Sequence, residues 1–426
     1  MKKPFKWVFI AIGLLSTPAL ATETRVLSLS GASDYVWDNS NVFIFPSVGP
    51  LYYRSMVAEL GDEGADVASQ SSVWLLYANQ EQSFGVAGLA INHHSAGYGQ
   101  LLDHLLPVQN DSFSVDIITR LQDRGLGQRL MGIEQPKASY DLLYSRRFDK
   151  ITGGILLGRS AWSGLDSYSG EERKADAGIT ELGLGIGYEP RENLRADATV
   201  SYSHFSFGSS YSFSGQDSAQ EFLSDGSKRL AFDGRIFYAL NEDMVIVPLV
   251  KAGYTHMAYR YTQNGDTNSV AGSDETTQFL LGCGWNYQFR NHLKLIAGAD
   301  LGYSKSLIED SLIVGSPGEI KETITEWTFP AFHLGMEANL ADWITARLGA
   351  TQSMVSVKHS IDFTDGTSSR SESSEQPYQL NLGLTLKAGN LNLDLLVNPE
   401  LLYSGGNIVS GSKTWPATSA ALSYRF

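Results

Sequence analysis

Apolar and polar residues alternate one by one through much of this chain, the periodicity of strands that show one face to an apolar medium and the other to a polar one. Leu380, Leu382, Leu384 and Leu386 fall on one face, opposite Asn381, Gly383, Thr385 and Lys387. Beyond Gly389-Asn390, Leu391, Leu393, Leu395 and Val397 oppose Asn392, Asp394 and Asn398. Two alternating runs joined by two turn residues predict a β-hairpin. Residues 194–203, 293–303, 332–340 and 344–351 keep the same rhythm.

Short polar turns at 79–82, 148–150, 190–193, 241–243, 290–292, 340–342 and 389–390 alternate with longer polar segments near 93–138, 163–176, 207–226, 262–274, 304–321, 359–376 and 399–413. Short turns on one side and long loops on the other are the pattern of an outer-membrane barrel, with turns in the periplasm and loops outside. Seven hairpins, a first strand near 53–60 and a last at 414–426 predict an all-β transmembrane antiparallel barrel of about 14–16 strands. The lower number applies if the first strands form a plug; residues 112–118 are a further strand-like run without a place in this scheme. A soluble β-sandwich also alternates, so it is the connection pattern that favours the barrel. Trp162, Tyr188, Trp285, Tyr287, Trp327, Trp343 and Trp415 lie near strand ends and suit interfacial girdles.

The ends agree with export. Lys2, Lys3 and Lys6, an apolar stretch over 7–15 and Ala19-Leu20-Ala21 predict a secretory signal peptide over 1–21. Residues 22–52 then form an N-terminal segment that could fold into the lumen, and 53–426 the barrel. At the other end Leu422, Tyr424 and Phe426 alternate along a final strand closed by an aromatic residue. This resembles the terminal strand by which the barrel-assembly machinery recognises its clients, and implies that machinery as a partner. Arg25-Val-Leu-Ser-Leu-Ser-Gly-Ala32, Trp37-Asp-Asn-Ser-Asn-Val-Phe43 and Pro46-Ser47 resemble the opening of the long-chain fatty acid transporter family, with Ser30-Gly31-Ala32 and Ile44-Phe45-Pro46-Ser47 in place of the usual residues. That resemblance implies an N-terminal segment placed inside the barrel.

The formal charge is −14. Acid of this kind excludes nucleic acid as a partner and reads as solvated loops first, with cation or lipopolysaccharide bridging second. Cys283 stands alone, which rules out an intrachain disulfide and a cysteine metal cage. The histidines are too dispersed to predict a metal site, and no cofactor is expected.

Placing the polar face of each strand in the lumen puts Arg195, Arg235, Lys294, Arg347, Lys387 and Arg425 inside with Asp197, Asp233, Asp300, Glu337 and Asp394. Such a balanced interior either lines a water-filled channel or pairs into a network that fills it. The leading expectation is therefore a non-enzymatic channel in the outer membrane of a Gram-negative-type bacterium, bounded by lipid and lipopolysaccharide, for small or moderately hydrophobic solutes. The alternative is a closed barrel serving as a structural, adhesin-like or secretion-accessory scaffold. A lipid hydrolase comes last: His93 and Ser95 share a face at the spacing of a base and a nucleophile, which resembles the His-x-Ser of outer-membrane phospholipase and lipid A deacylase. The residues that follow do not continue either motif, and the sequence marks no orienting acid.

Overall fold

Hydrocarbon offers backbone amides no partner, so strands that cross it must pair on both edges until the last meets the first. The computed structural model describes residues 22–30, 32–61, 71–93, 138–168, 170–213, 220–263, 270–289, 292–312, 318–363, 366–397 and 417–426. Within them the chain forms strands β1 (Ser55–Gly61), β2 (Ser72–Tyr77), β3 (Val86–Ile91), β4 (Ala138–Phe148), β5 (Ile151–Tyr168), β6 (Glu171–Arg191), β7 (Leu194–Phe213), β8 (Gln220–Ser224) and β9 (Lys228–Ala239). They continue as β10 (Met244–Gln263), β11 (Val270–Phe289), β12 (Leu293–Leu312), β13 (Gly318–Ala341), β14 (Ile344–Phe363), β15 (Ser368–Glu375), β16 (Tyr378–Ala388), β17 (Leu391–Val397) and β18 (Ala417–Arg425).

Every pairing is antiparallel, and β18 returns to β1 in the register Ser55↔Arg425 through Gly61↔Ser419. Two staves of the wall are each interrupted once: β8 and β9 both pair with β7 and β10, and β15 and β16 both pair with β14. The wall is thus a closed barrel of sixteen staves. The first strands belong to the wall, which sets aside the fourteen-stranded variant. The first strand starts two residues later than the pattern placed it, and of the expected last strand 414–416 lie outside the described residues.

The short turns fall close to where the pattern put them, except that 290 and 291 of the turn expected at 290–292 lie outside the described residues. The long segments do not remain loops. β5 and β6 run through 163–176 with only 169 and 170 between them, and β7, β11, β12, β13, β14 and β15 likewise extend into segments read as loops. The physical reason is that above the hydrocarbon both faces of a strand are wet, so a strand needs no apolar face and loses its period of two. β15, with the sequence SSRSESSE, is exposed along almost its whole length.

The outward face carries the apolar band. Leu182, Leu184, Ile186, Tyr188, Val200, Leu230, Phe232, Ile236, Leu281, Leu334 and Leu422 are all exposed. At the turn end Phe84, Phe148, Tyr188, Trp285, Phe289, Trp343, Tyr424 and Phe426 form an outer aromatic rim, where an amphipathic ring sits between lipid and water. Trp162 departs from the expected girdle: it is buried on the inner face, because it shares its alternation with Leu156, Gly158 and Ser160 and not with Ile155 and Leu157. Trp415, 112–118 and the leader lie outside the described residues.

Candidate functional site

Residues 22–30 and 32–54 lie inside this wall. Thr22 caps a single helical stretch, α1 (Glu23–Ser28), its side chain accepting from the Arg25 amide. So short a helix has no stability of its own in water. Three 3-10 turns follow, Ala32–Tyr35, Ser40–Phe43 and Pro46–Leu51. The Asp38 carboxylate takes bonds from the Ser40 amide at 2.9 Å and hydroxyl at 2.8 Å to start the second, and Pro46, which lacks an amide hydrogen, opens the third. The segment touches both sides of the wall: α1 packs on β14, β16, β17 and β18, the first 3-10 turn on β11, β12 and β13, and the last on β4 through β7. It therefore spans the lumen as a plug.

Buried charge holds it. Arg25 donates to Glu337 through Nε at 3.0 Å and a terminal nitrogen at 2.8 Å, and to Asp38 at 3.3 Å. Arg347 bonds Glu337 at 3.0 Å and Asp394 at 3.1 Å. Asp394 also accepts from Thr22 at 3.1 Å and from Thr385. Across the lumen Arg195 pairs with Asp197 at 2.9 Å and with Glu189, and its guanidinium lies 5.1 Å from the Trp37 ring centre. Arg235 lies over Phe45 at 4.2 Å. Tyr35 donates to Asp300, which also bonds His333 at 2.8 Å. Ion pairs this dry repay their desolvation only with good geometry and full hydrogen bonding; here Arg25 and Thr22 of the plug add to pairs the wall already makes between Arg347, Glu337 and Asp394.

Apolar anchors complete the seat. Val42, Phe45 and Val48 pack with Val57, Trp74, Leu76, Leu143 and Leu156. Leu29, Tyr35 and Val36 pack with Phe237, Val247, Leu249 and Ile296. Each such side chain contributes about 1.5–3 kcal/mol when fully buried. Within the plug, burial pushes the Glu23 carboxyl up from its usual range, against the pull of His93. Burial also pushes Asp38 up, opposed by Arg25 and by the Ser40 bonds. Burial alone would lower Arg25, but Glu337 and Asp38 outweigh it and hold the guanidinium more firmly protonated.

All eleven residues assigned from alternation share the wall face that meets the plug. Arg195, Asp197, Arg235, Arg347 and Asp394 are buried in the networks above. Glu337 and Asp300 bond the plug directly, Lys294 stands opposite Glu337 in register, and Asp233 stands opposite Lys251. Lys387 reaches Asn339 at 3.3 Å, and Arg425 sits at the turn-end rim opposite Ser55. The alternation did not single out Glu59, which accepts from Glu23 and Thr24 of α1 at 2.7 and 2.9 Å. Its signal is present nonetheless, as Ser55, Val57 and Glu59 alternate inward in β1.

Asp141 was also missed. It takes a 2.6 Å bond from His93 Nδ1, and the His93 ring stacks on Phe43 of the plug with centres 3.8 Å apart. An acid therefore does orient His93, but inside the barrel against the plug; Ser95 lies outside the described residues. No cluster of three or more metal-ligating side chains occurs among the described residues.

The plug residues meet wall residues close to the short turns. On its other side, a cavity of about 250 Å³ is bordered by Arg229, Asp233, Lys251, Gln278, Ser304 and Glu326. Farther along, the inner face carries buried Phe205, Phe207, Phe222, Tyr259 and Tyr261, with Phe222 5.5 Å from Phe207 and 5.3 Å from Tyr259, ring centre to ring centre.

No family model matches the chain, and no curated protein does. Among solved structures it is similar to the ferric yersiniabactin uptake receptor FyuA from Yersinia pestis, at 7% identity over 80% of this chain and 68% of that one, with a TM-score of 0.39. It is similar also to the CymD monoaromatic hydrocarbon channel, at 10% identity over 91% and 93%, TM-score 0.37, and to the translocator domain of the autotransporter NalP from Neisseria meningitidis, at 16% over 66% and 90%, TM-score 0.29. The closed register of its own wall makes this chain a β-barrel of the outer-membrane type.

Proposed function

We propose that the chain is an outer-membrane channel, not an enzyme, closed at rest by its own residues 22–52 and passing small or moderately hydrophobic solutes. The observation that carries the reading is the plug's seat. A sixteen-stave wall leaves an aqueous space unless something occupies it. Here the occupant is one segment held by ion pairs and hydrogen bonds together with the two apolar clusters. Among the described residues the segment adds no strand to the wall's ladders, so it can leave without opening the barrel.

With short turns facing the periplasm, the plug closes the periplasmic half and the cavity opens toward the outside. The inward aromatics of β7, β8 and β10 favour solutes with apolar surface. The outward row Leu422, Tyr424 and Phe426 on β18 supports delivery by the barrel-assembly machinery, with lipid and lipopolysaccharide around the band.

Planar-bilayer conductance of the refolded chain tests this, alone and with residues 23–50 deleted. The intact chain is expected to conduct rarely and the deleted form to conduct in large, stable steps. If both forms are silent while heat-modifiable migration shows them folded, the channel reading fails and the chain is a scaffold.

A further inference from the structure

On one side of the barrel the outward apolar rows end in basic side chains at the same register, away from the short turns. On β5 Ile155 and Leu157 lead to Arg159, on β7 Val200 and Tyr202 lead to His204, and on β9 Phe232 and Leu230 lead to Lys228, all exposed. Direct pairing joins these ends: Arg159 stands opposite Thr180 of β6, Thr180 opposite His204, and His204 opposite Lys228. His256 of β10 stands opposite Lys228 in turn, and Glu275 closes the row, 3.3 Å from His256. The Arg159 side chain is laid along the row. It donates to the Thr180 hydroxyl at 2.6 Å and crosses Gly178, where a Cβ would meet its terminal nitrogen at 3.1 Å and the Ser206 hydroxyl of β7 at 3.2 Å. Among the described residues no carboxylate pairs with Arg159 or Lys228, whereas Lys321 and Lys358, elsewhere on the outer face, are taken by Glu309 at 2.7 Å and Glu372 at 3.6 Å. The outward acids nearby lie farther from the band: Asp225 is taken by Arg260 at 2.9 Å, and Asp176 stands opposite Gly208.

We infer that the row Arg159, His204, Lys228 and His256 binds the phosphates of lipid A, the glycolipid anchor of lipopolysaccharide. The inference rests on the outer-membrane reading, with the short turns in the periplasm, and not on conduction. The chain carries 46 acidic residues against 32 lysines and arginines, yet this edge gathers basic side chains with no acid between them. Neighbouring cations repel, and an anion that enters among them relieves the repulsion. A guanidinium presents paired donors to phosphate oxygens, and an ammonium adds a point charge beside it. One step nearer the turns, Leu157, Leu182, Tyr202, Leu230 and Tyr254 form a parallel row, each paired to the next and all exposed. Phosphate and acyl chain therefore meet one continuous surface, as basic clusters at headgroup level meet anionic lipids. Four inter-strand steps make the row about 20 Å long, more than one phosphodiester headgroup covers. A disaccharide that carries a phosphate at each end suits that length.

The test is native mass spectrometry of the folded full-length barrel in detergent, titrated with bisphosphorylated lipid A, its monophosphorylated form and phosphatidylglycerol. Bisphosphorylated lipid A is expected to bind about tenfold more tightly than the monophosphorylated form, the worth of one charge-assisted contact, and phosphatidylglycerol more weakly still. Arg159→Gln and Lys228→Gln should each weaken bisphosphorylated lipid A by about tenfold on the same ground. Lys321→Gln, whose cation already has a carboxylate, should leave it unchanged. Heat-modifiable migration confirms that every variant is folded. Unchanged affinity in both Arg159→Gln and Lys228→Gln overturns the site, as does an equal loss in Lys321→Gln, which would mark a general charge effect. Equal affinity for the three lipids overturns lipid A as the occupant. The two readings fail separately. A chain that conducts after deletion of 23–50 but binds no lipid A loses only this site, whereas one that binds the lipids in the expected order yet never conducts loses only the channel.

Discussion

A charge placed in a barrel interior must find partners or be neutralised, and Arg25 shows how one plug residue serves several wall residues at once. Its bonds to Glu337 and Asp38 leave Glu337 free to accept from Arg347 as well, so plug and wall share one network. The buried carboxyls of the plug make that seat sensitive to pH. Burial raises the Glu23 pKa above its ordinary 4.5, so docking takes up a proton. Its contribution is complete below 4.5 and is lost as pH climbs through the raised value. Asp38, raised from 3.8 by burial, acts in the same sense. The open probability of the intact channel should therefore rise as pH climbs above 4.5, and Glu23→Gln should flatten that rise. A channel that opens on acidification would contradict it.

Elements fit here because strands carry glycine where the plug backbone comes closest. On β14, a Cβ at Gly349 would lie 2.4 Å from the Leu29 carbonyl carbon and 2.6 Å from the Ser30 amide nitrogen. Neither backbone atom can swing aside as a flexible side chain would. On β11 and β12, Gly284 and Gly298 flank the Tyr35 ring, where a Cβ would stand 2.1 and 2.4 Å from ring carbons. Gly349→Val is accordingly expected to displace α1 while leaving the wall paired, since valine suits a strand. Bilayer conductance of this variant should approach that of the chain lacking 23–50, with unchanged heat-modifiable migration. A folded variant that stays closed would show that the close approach is not what seats the helix. The extensions of β5 through β15 above the band illustrate the opposite case, strands formed by pairing alone with no one-sided burial to announce them.

For the molecule as a whole, lipid is the solvent that fixes which face is out. Leu184 on β6 stands outward, opposite Ile155 on β5 and Val200 on β7, all three exposed. It lies midway along the apolar row that runs from Leu182 to Tyr188. Leu184→Arg is expected to destabilise the barrel in phospholipid by about 2–4 kcal/mol, as for a cation near the bilayer midplane, read from reversible denaturant unfolding in liposomes. A neutral outcome would mean that this row does not face hydrocarbon. Closure at β1 and β18 belongs to this scale too, because it joins two strands more than 350 positions apart in the chain, Ser55 to Arg425.

The sequence by itself determined the class of fold and, on the strands whose alternation it shows cleanly, which face turns outward, because a side-chain period of two is a local property and lipid enforces it strand by strand. It also marked the short turns, whose residues act locally. It did not determine where polar strands end, since two wet faces leave no period to read. Nor did it show that Arg25 would meet Glu337, or Asp34 meet Lys251, across more than two hundred residues. Those encounters depend on how sixteen staves close and where the segment ahead of β1 comes to rest inside them. Only the tertiary structure brings charges so distant in sequence within hydrogen-bonding distance, and that is why an N-terminal segment in the lumen could be expected from the sequence while the contacts that grip it could not.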